Sequence, residues 1–109
     1  MSPRVIRVRQ RFPGPTVADA PAAVADALAP INLRAHLRPG ATVAVTAGSR
    51  GIANIAAIIR ATVEHFQSLG AKPFIVPAMG SHGGGTAEGQ REILEGYGIT
   101  EEYTGAEIR

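Results

Sequence analysis

Two short apolar runs, Thr42–Thr46 and Phe74–Val76, flank a longer stretch with helical spacing, and this arrangement limits the folds open to the chain more than anything else in it. The first run, Thr-Val-Ala-Val-Thr, is β-branched and apolar throughout, as a strand buried on both faces is. Between the runs, Ile52, Ile55, Ala56, Ile59, Val63 and Phe66 recur every three or four residues, which predicts one apolar helix stripe from about Ile52 to Leu69, stopped by Gly70. A strand–helix–strand connection of about 25 residues is nearly always a right-handed crossover, so the two strands should be parallel neighbours. Their exit loops, Ala47–Gly51 and Ala78–Gly85, then share the carboxyl edge where open α/β sheets bind ligands.

The rest of the chain fits around that unit. Residues 4–12 alternate, with Ile6, Val8 and Phe12 on one side and Arg7, Arg9 and Arg11 on the other, which predicts a half-buried edge strand. Residues 1–15 therefore read as edge strand and linker, ended by Pro13, Gly14 and Pro15. A short helix is expected from about Asp19, with Pro21 in its first turn and Pro30 as its stop. Ala87 to Tyr97 predicts a further helix closed by Gly98, and Glu107-Ile108-Arg109 reads as the start of another strand. The fold class is α/β: a small parallel-sheet domain with crossover helices, truncated, filling residues 1–109 as a single domain.

Composition excludes several functions. With no cysteine there is no disulfide, thiolate nucleophile or Cys-ligated metal, which points to a reducing, cytoplasmic setting. Eleven basic against nine acidic groups give a net charge of +2, too balanced for a nucleic-acid partner, and the Arg4–Arg11 segment lacks aromatic residues for stacking bases. No apolar run approaches the ~20 residues of a membrane span, and no apolar stretch follows the basic start as in a signal peptide.

The candidate chemistry lies in the two exit loops. Ala78-Met79-Gly80-Ser81-His82-Gly83-Gly84-Gly85-Thr86 has four glycines in six residues, an entropic cost that a ligand approaching the backbone would justify. Thr86 can cap the next helix and so add its dipole to an anion site. A P-loop is disfavoured because Thr86 stands where the phosphate-binding lysine belongs. His82 is the only histidine on the ligand edge and can give or take a proton near neutral pH. Arg50, in Gly48-Ser49-Arg50, opposes the dipole of the helix expected to follow, and a bound carboxylate would give it a reason to be there. Ser49 lacks the first glycine of a nucleophile elbow, Ala47 taking that place.

Gly48-Ser49-Arg50, the long helix, Gly70-Ala71-Lys72-Pro73, and Gly80-Ser81-His82 before Thr86 and Glu88 resemble the N-terminal domain of the nickel-dependent lactate racemase family. The resemblance spans about Thr42 to Glu102. It implies a 2-hydroxy-acid racemase or epimerase in which a nickel-pincer nucleotide takes and returns a hydride while two histidines exchange the hydroxyl proton. His82 would be one of those histidines and Arg50 the arginine that holds the substrate, with Ser49, Gly80 and Ser81 beside it. Ala47 stands where the family's lactate racemases have an acidic residue, so lactate itself is not the implied substrate. The second histidine, the cofactor lysine and the nickel-binding histidine have no counterpart here. The resemblance therefore implies a partial site, inactive alone, whose partner is a missing C-terminal domain, and it leaves room for a homo-oligomer. Without it, the residues read equally as a non-catalytic α/β module that binds a small anion through the glycine-rich loop.

Overall fold

A computed structural model describes all residues, Met1–Arg109. The two apolar runs form strands β1 (Thr42–Ala47) and β2 (Lys72–Pro77), paired in parallel with Thr42 opposite Lys72 and Ala47 opposite Pro77. Helix α2 (Ile55–Ser68) is the crossover and buries Ile55, Ile59 and Val63. Its end is a Schellman turn, in which the Ala71 amide donates to the Phe66 carbonyl and the Gly70 amide to that of Gln67. Helix α1 (Ala20–Leu28) precedes the sheet, capped by the Asp19 side chain accepting from the Ala22 amide, and helices α3 (Ala87–Gly96) and α4 (Glu101–Thr104) follow it. The α/β class and the parallel crossover expected of the sequence are thus present.

One core serves the whole unit. Val45, Ala47 and Ile75 from the sheet meet Ile55, Ile59 and Val63 of α2, together with Leu94, Ile99 and Ile108. Ile108 bridges Ile75 in parallel, so the expected terminal strand exists as one paired residue on the far edge of β2. The Ile75 amide donates to the Glu107 carbonyl at 2.8 Å, and the Arg109 amide to the Ile75 carbonyl at 2.9 Å.

Three expectations are corrected. Residues 4–12 are not an edge strand: residues 1–19 are all exposed, and Ile6, Val8 and Phe12 retain 81%, 76% and 82% of their accessible surface. Alternation makes a strand only where the segment is paired, and this one joins neither edge of the β1–β2 sheet. Second, β1 is buried on one face only, because the helices pack on the side of Val43, Val45 and Ala47 while Thr42, Ala44 and Thr46 stay exposed. Third, α2 begins at Ile55, since Asn54 takes a left-handed conformation (φ 58°) that breaks the helix, leaving Ile52 half-exposed. The accessible surface is consequently 8003 Å², against about 5,700 Å² for a compact chain of 11.3 kDa.

The terminal segment is held electrostatically. The Ile108 amide donates to the Glu101 carboxylate at 3.0 Å and keeps that carboxyl below the usual range, with Arg91, 3.2 Å away, adding to the effect. A lowered folded value means the stabilisation is present above the ordinary glutamate range, about 4.3, and is lost as pH falls through the lowered value. Glu101→Gln should therefore melt below the parent at neutral pH, with the difference closing as the solution is acidified below about pH 4. Thermal melts of both proteins across this range check it, and a pH-independent difference would contradict the assignment.

Candidate functional site

Parallel pairing sends the loops after Ala47 and Pro77 to the same edge, and the Ala78 amide ties them by donating to the Ala47 carbonyl at 2.8 Å. Beyond that bond Gly48 passes close to the Ala78 carbonyl, where an added Cβ would sit at 3.8 Å. Ser49 then turns inward and is 7% exposed. Its Oγ lies 2.8 Å from His82 Nδ1, so a residue of each exit loop meets the other directly. Tyr97, at the end of α3, donates its phenolic hydrogen to the Ser49 carbonyl at 2.7 Å and fixes the backbone that carries the hydroxyl.

His82 itself is exposed, in a tight turn over His82–Gly85. The turn is held from α3. Gln90 Nε2 donates to the Gly80 carbonyl at 2.7 Å and to the His82 carbonyl at 3.2 Å, while Thr86 caps α3 by accepting from the Gly89 amide at 3.1 Å. Part of the glycine richness is thereby explained without a ligand. Gly83 has φ 68° and lies against α3, so that a Cβ there would meet the Gly89 carbonyl carbon at 2.7 Å, and a Cβ on Gly89 would run into the Gly83 carbonyl. Turn and helix touch backbone to backbone.

Arg50 is exposed and takes part in none of the four salt bridges. The helix-dipole argument for it is corrected: α2 starts five residues later, so its charge stands outside the first helical turn. Arg50 borders two hollows, one of about 310 Å³ lined by Gly48, Ser49, Arg50, Ile52, Ala78 and Met79, the other of about 110 Å³ reaching Ile55 and Tyr97. Ser49 lines both, whereas His82 lines neither and joins them through Ser49. The largest groove, about 530 Å³ between α1 and the start of α2, contains no titratable side chain.

Of the expected site residues, Ser49, Arg50 and His82 stand at one sheet edge. Gly80 contributes the carbonyl that Gln90 binds, and Ser81 makes no side-chain cap bond to the turn that follows it. Sequence reading missed Tyr97 and Gln90. Gln90 could have been found from its place one turn past the Thr86 cap, but the carbonyl that Tyr97 reaches is 48 residues away. Nowhere do three His, Asp or Glu side chains gather as a metal site would need. Lys72, the only lysine, begins β2 and so lies at the opposite edge from His82. These residues do not fit the anchoring of a nickel-pincer nucleotide. Nor is any helix long and apolar enough to cross a membrane. Compared with known proteins, the chain matches no family model, no curated protein and no solved structure.

The backbone contact between the turn and α3 generates a prediction. Gly83→Ala puts a methyl group into a space already filled and onto an unfavourable φ, and should cost about 1–3 kcal/mol. Urea unfolding of the variant against the parent measures it. Gly84→Ala has the same positive φ (72°) but open space around its Cβ, and should cost less.

Proposed function

We propose that the chain supplies the proton-transfer half of a 2-hydroxy-acid racemase or epimerase site, with His82 as acid and base and Arg50 as the carboxylate anchor. The observation that carries this reading is the direct bond between the loops, Ser49 Oγ to His82 Nδ1 at 2.8 Å, with an unpaired arginine next in sequence to the serine. A guanidinium grips a carboxylate through two parallel N–H donors, which orients the substrate as well as holding it. The hydroxyl on the neighbouring carbon then has a histidine within the same loop cluster to take its proton. Because Nδ1 is engaged by Ser49, Nε2 is the ring atom available for the transfer.

In the family that the sequence resembles, a nickel-pincer nucleotide supplies the hydride chemistry. The lysine that would anchor it and a cluster of metal ligands are missing at this edge, and no second histidine stands there. The reaction derived for this chain is therefore limited to binding the carboxylate and exchanging the hydroxyl proton, and the partner implied is a further domain that completes the site.

Two measurements test the reading. Titrating the chain with single enantiomers of 2-hydroxy acids should shift the amide signals of Gly48–Arg50 and His82, and Arg50→Gln should weaken binding by about ten-fold or more, as loss of a charge-assisted hydrogen bond does. Incubated with mature cofactor and one enantiomer, the chain alone should give no interconversion. Turnover would overturn the half-site assignment. Acetate or phosphate binding as tightly as the hydroxy acids would instead favour a plain anion-binding module.

A further inference from the structure

The Ser49–His82 bond also determines where the proton sits on the imidazole. Ser49 is 7% exposed, and its Oγ has one polar partner in the chain, His82 Nδ1. A serine hydroxyl carries one hydrogen, and a nearly buried hydroxyl that fails to donate it is left unsatisfied at a cost in stability. Were Nδ1 to carry the ring proton, Ser49 would have to accept, and its own hydrogen would have no acceptor in the chain. With the proton on Nε2, Oγ–H donates to Nδ1 and both groups are satisfied.

We infer that Ser49 is the positioning residue of His82: its hydroxyl holds the neutral ring in the Nε2–H form, so that an N–H donor stands at the sheet edge that also carries Arg50. Such a pair recognises a carboxylate with an oxygen acceptor on the adjacent carbon, which makes a 2-oxo acid a better partner for the resting ring than a 2-hydroxy acid. This rests on the reading of His82 as the proton-transfer group and adds the state in which it waits: the Nε2–H ring hydrogen-bonds an oxygen, whereas transfer runs between the Nδ1–H ring, whose bare Nε2 takes the hydroxyl proton, and the imidazolium, which returns it. In both the Nδ1–H ring and the imidazolium Nδ1 bears a hydrogen, and the Ser49 hydroxyl turns to accept it, so one residue serves the resting and the transferring forms. Tyr97 keeps the hydroxyl in place by binding the Ser49 carbonyl at 2.7 Å.

The test uses the full chain labelled with ¹⁵N-histidine at a pH where the imidazoles are neutral, with His82→Asn identifying the His82 signals and His36 and His65 serving as internal references. Two-bond ¹⁵N–¹H spectra give the tautomer ratio. Ser49→Ala should lower the His82 Nε2–H to Nδ1–H ratio by about five-fold, the equivalent of one net hydrogen bond of ~1 kcal/mol, and leave His36 and His65 unchanged. Ser49→Thr keeps a donor and should keep the parental ratio. Tyr97→Phe, which leaves the Ser49 side chain intact, should move the ratio in the same direction as alanine but less. An identical His82 ratio in the parent and Ser49→Ala overturns the inference, as does a folded Ser49→Thr protein with the alanine ratio. If the ratio follows Ser49 while no 2-hydroxy or 2-oxo acid binds, the control of His82 stands and the racemase reading falls. If the acids bind with the ratio unmoved, the reverse holds.

Discussion

Parallel pairing of two six-residue strands is the constraint on which the rest of this structure depends. Parallel neighbours cannot be joined by a hairpin. The chain must travel back along the sheet before the second strand begins, and α2 is that return. Once the return is made, both strands point the same way and their exits coincide. Ser49 and His82, 33 residues apart, meet because the crossover leaves their loops nowhere else to go. The candidate edge is thus a consequence of topology, refined locally by the Ala47–Ala78 backbone bond and the Tyr97 hydroxyl.

How far this was legible in the sequence depended on the range of the interaction involved. Local signals carried far: the Gly70 stop and the Thr86 cap each satisfy backbone groups within four residues and stand where the sequence placed them, and α1 starts next to Asp19, where a helix was expected. The crossover was legible because apolar spacing and connection length together leave one arrangement. Asn54 was not, since nothing around it announces the left-handed conformation that shortens α2 and moves Ile52 outside the stripe. The alternation of residues 4–12 misled for a different reason. A period of two says that a segment could lie half-buried in a sheet, but whether an edge receives it is a property of the rest of the molecule.

The candidate site shows the same division. Arg50 and His82 were readable as residue types on the loops that a parallel sheet brings together. Their support was not. Gln90 reaches back across the glycine turn, Tyr97 reaches to a carbonyl in another loop, and Gly83 and Gly89 are small because two backbones touch. The glycine-rich loop suggested a cradle for a ligand, whereas at Gly83 and Gly89 the glycines are required by the seat of α3. What is left of the candidate site is the serine, the arginine and the histidine, a smaller set of polar groups.

The exposed side of β1 has a consequence of its own. β2 is shielded along its outer edge by Ile108, and it carries Lys72, Pro73 and Pro77, residues that discourage unwanted pairing. β1 has no such gatekeeper. Thr42–Ala47 contains neither charge nor proline, and its free edge offers unspent backbone donors and acceptors to whatever extended chain comes near. Crowded or warmed, the protein is most open to pairing with another extended chain along this strand.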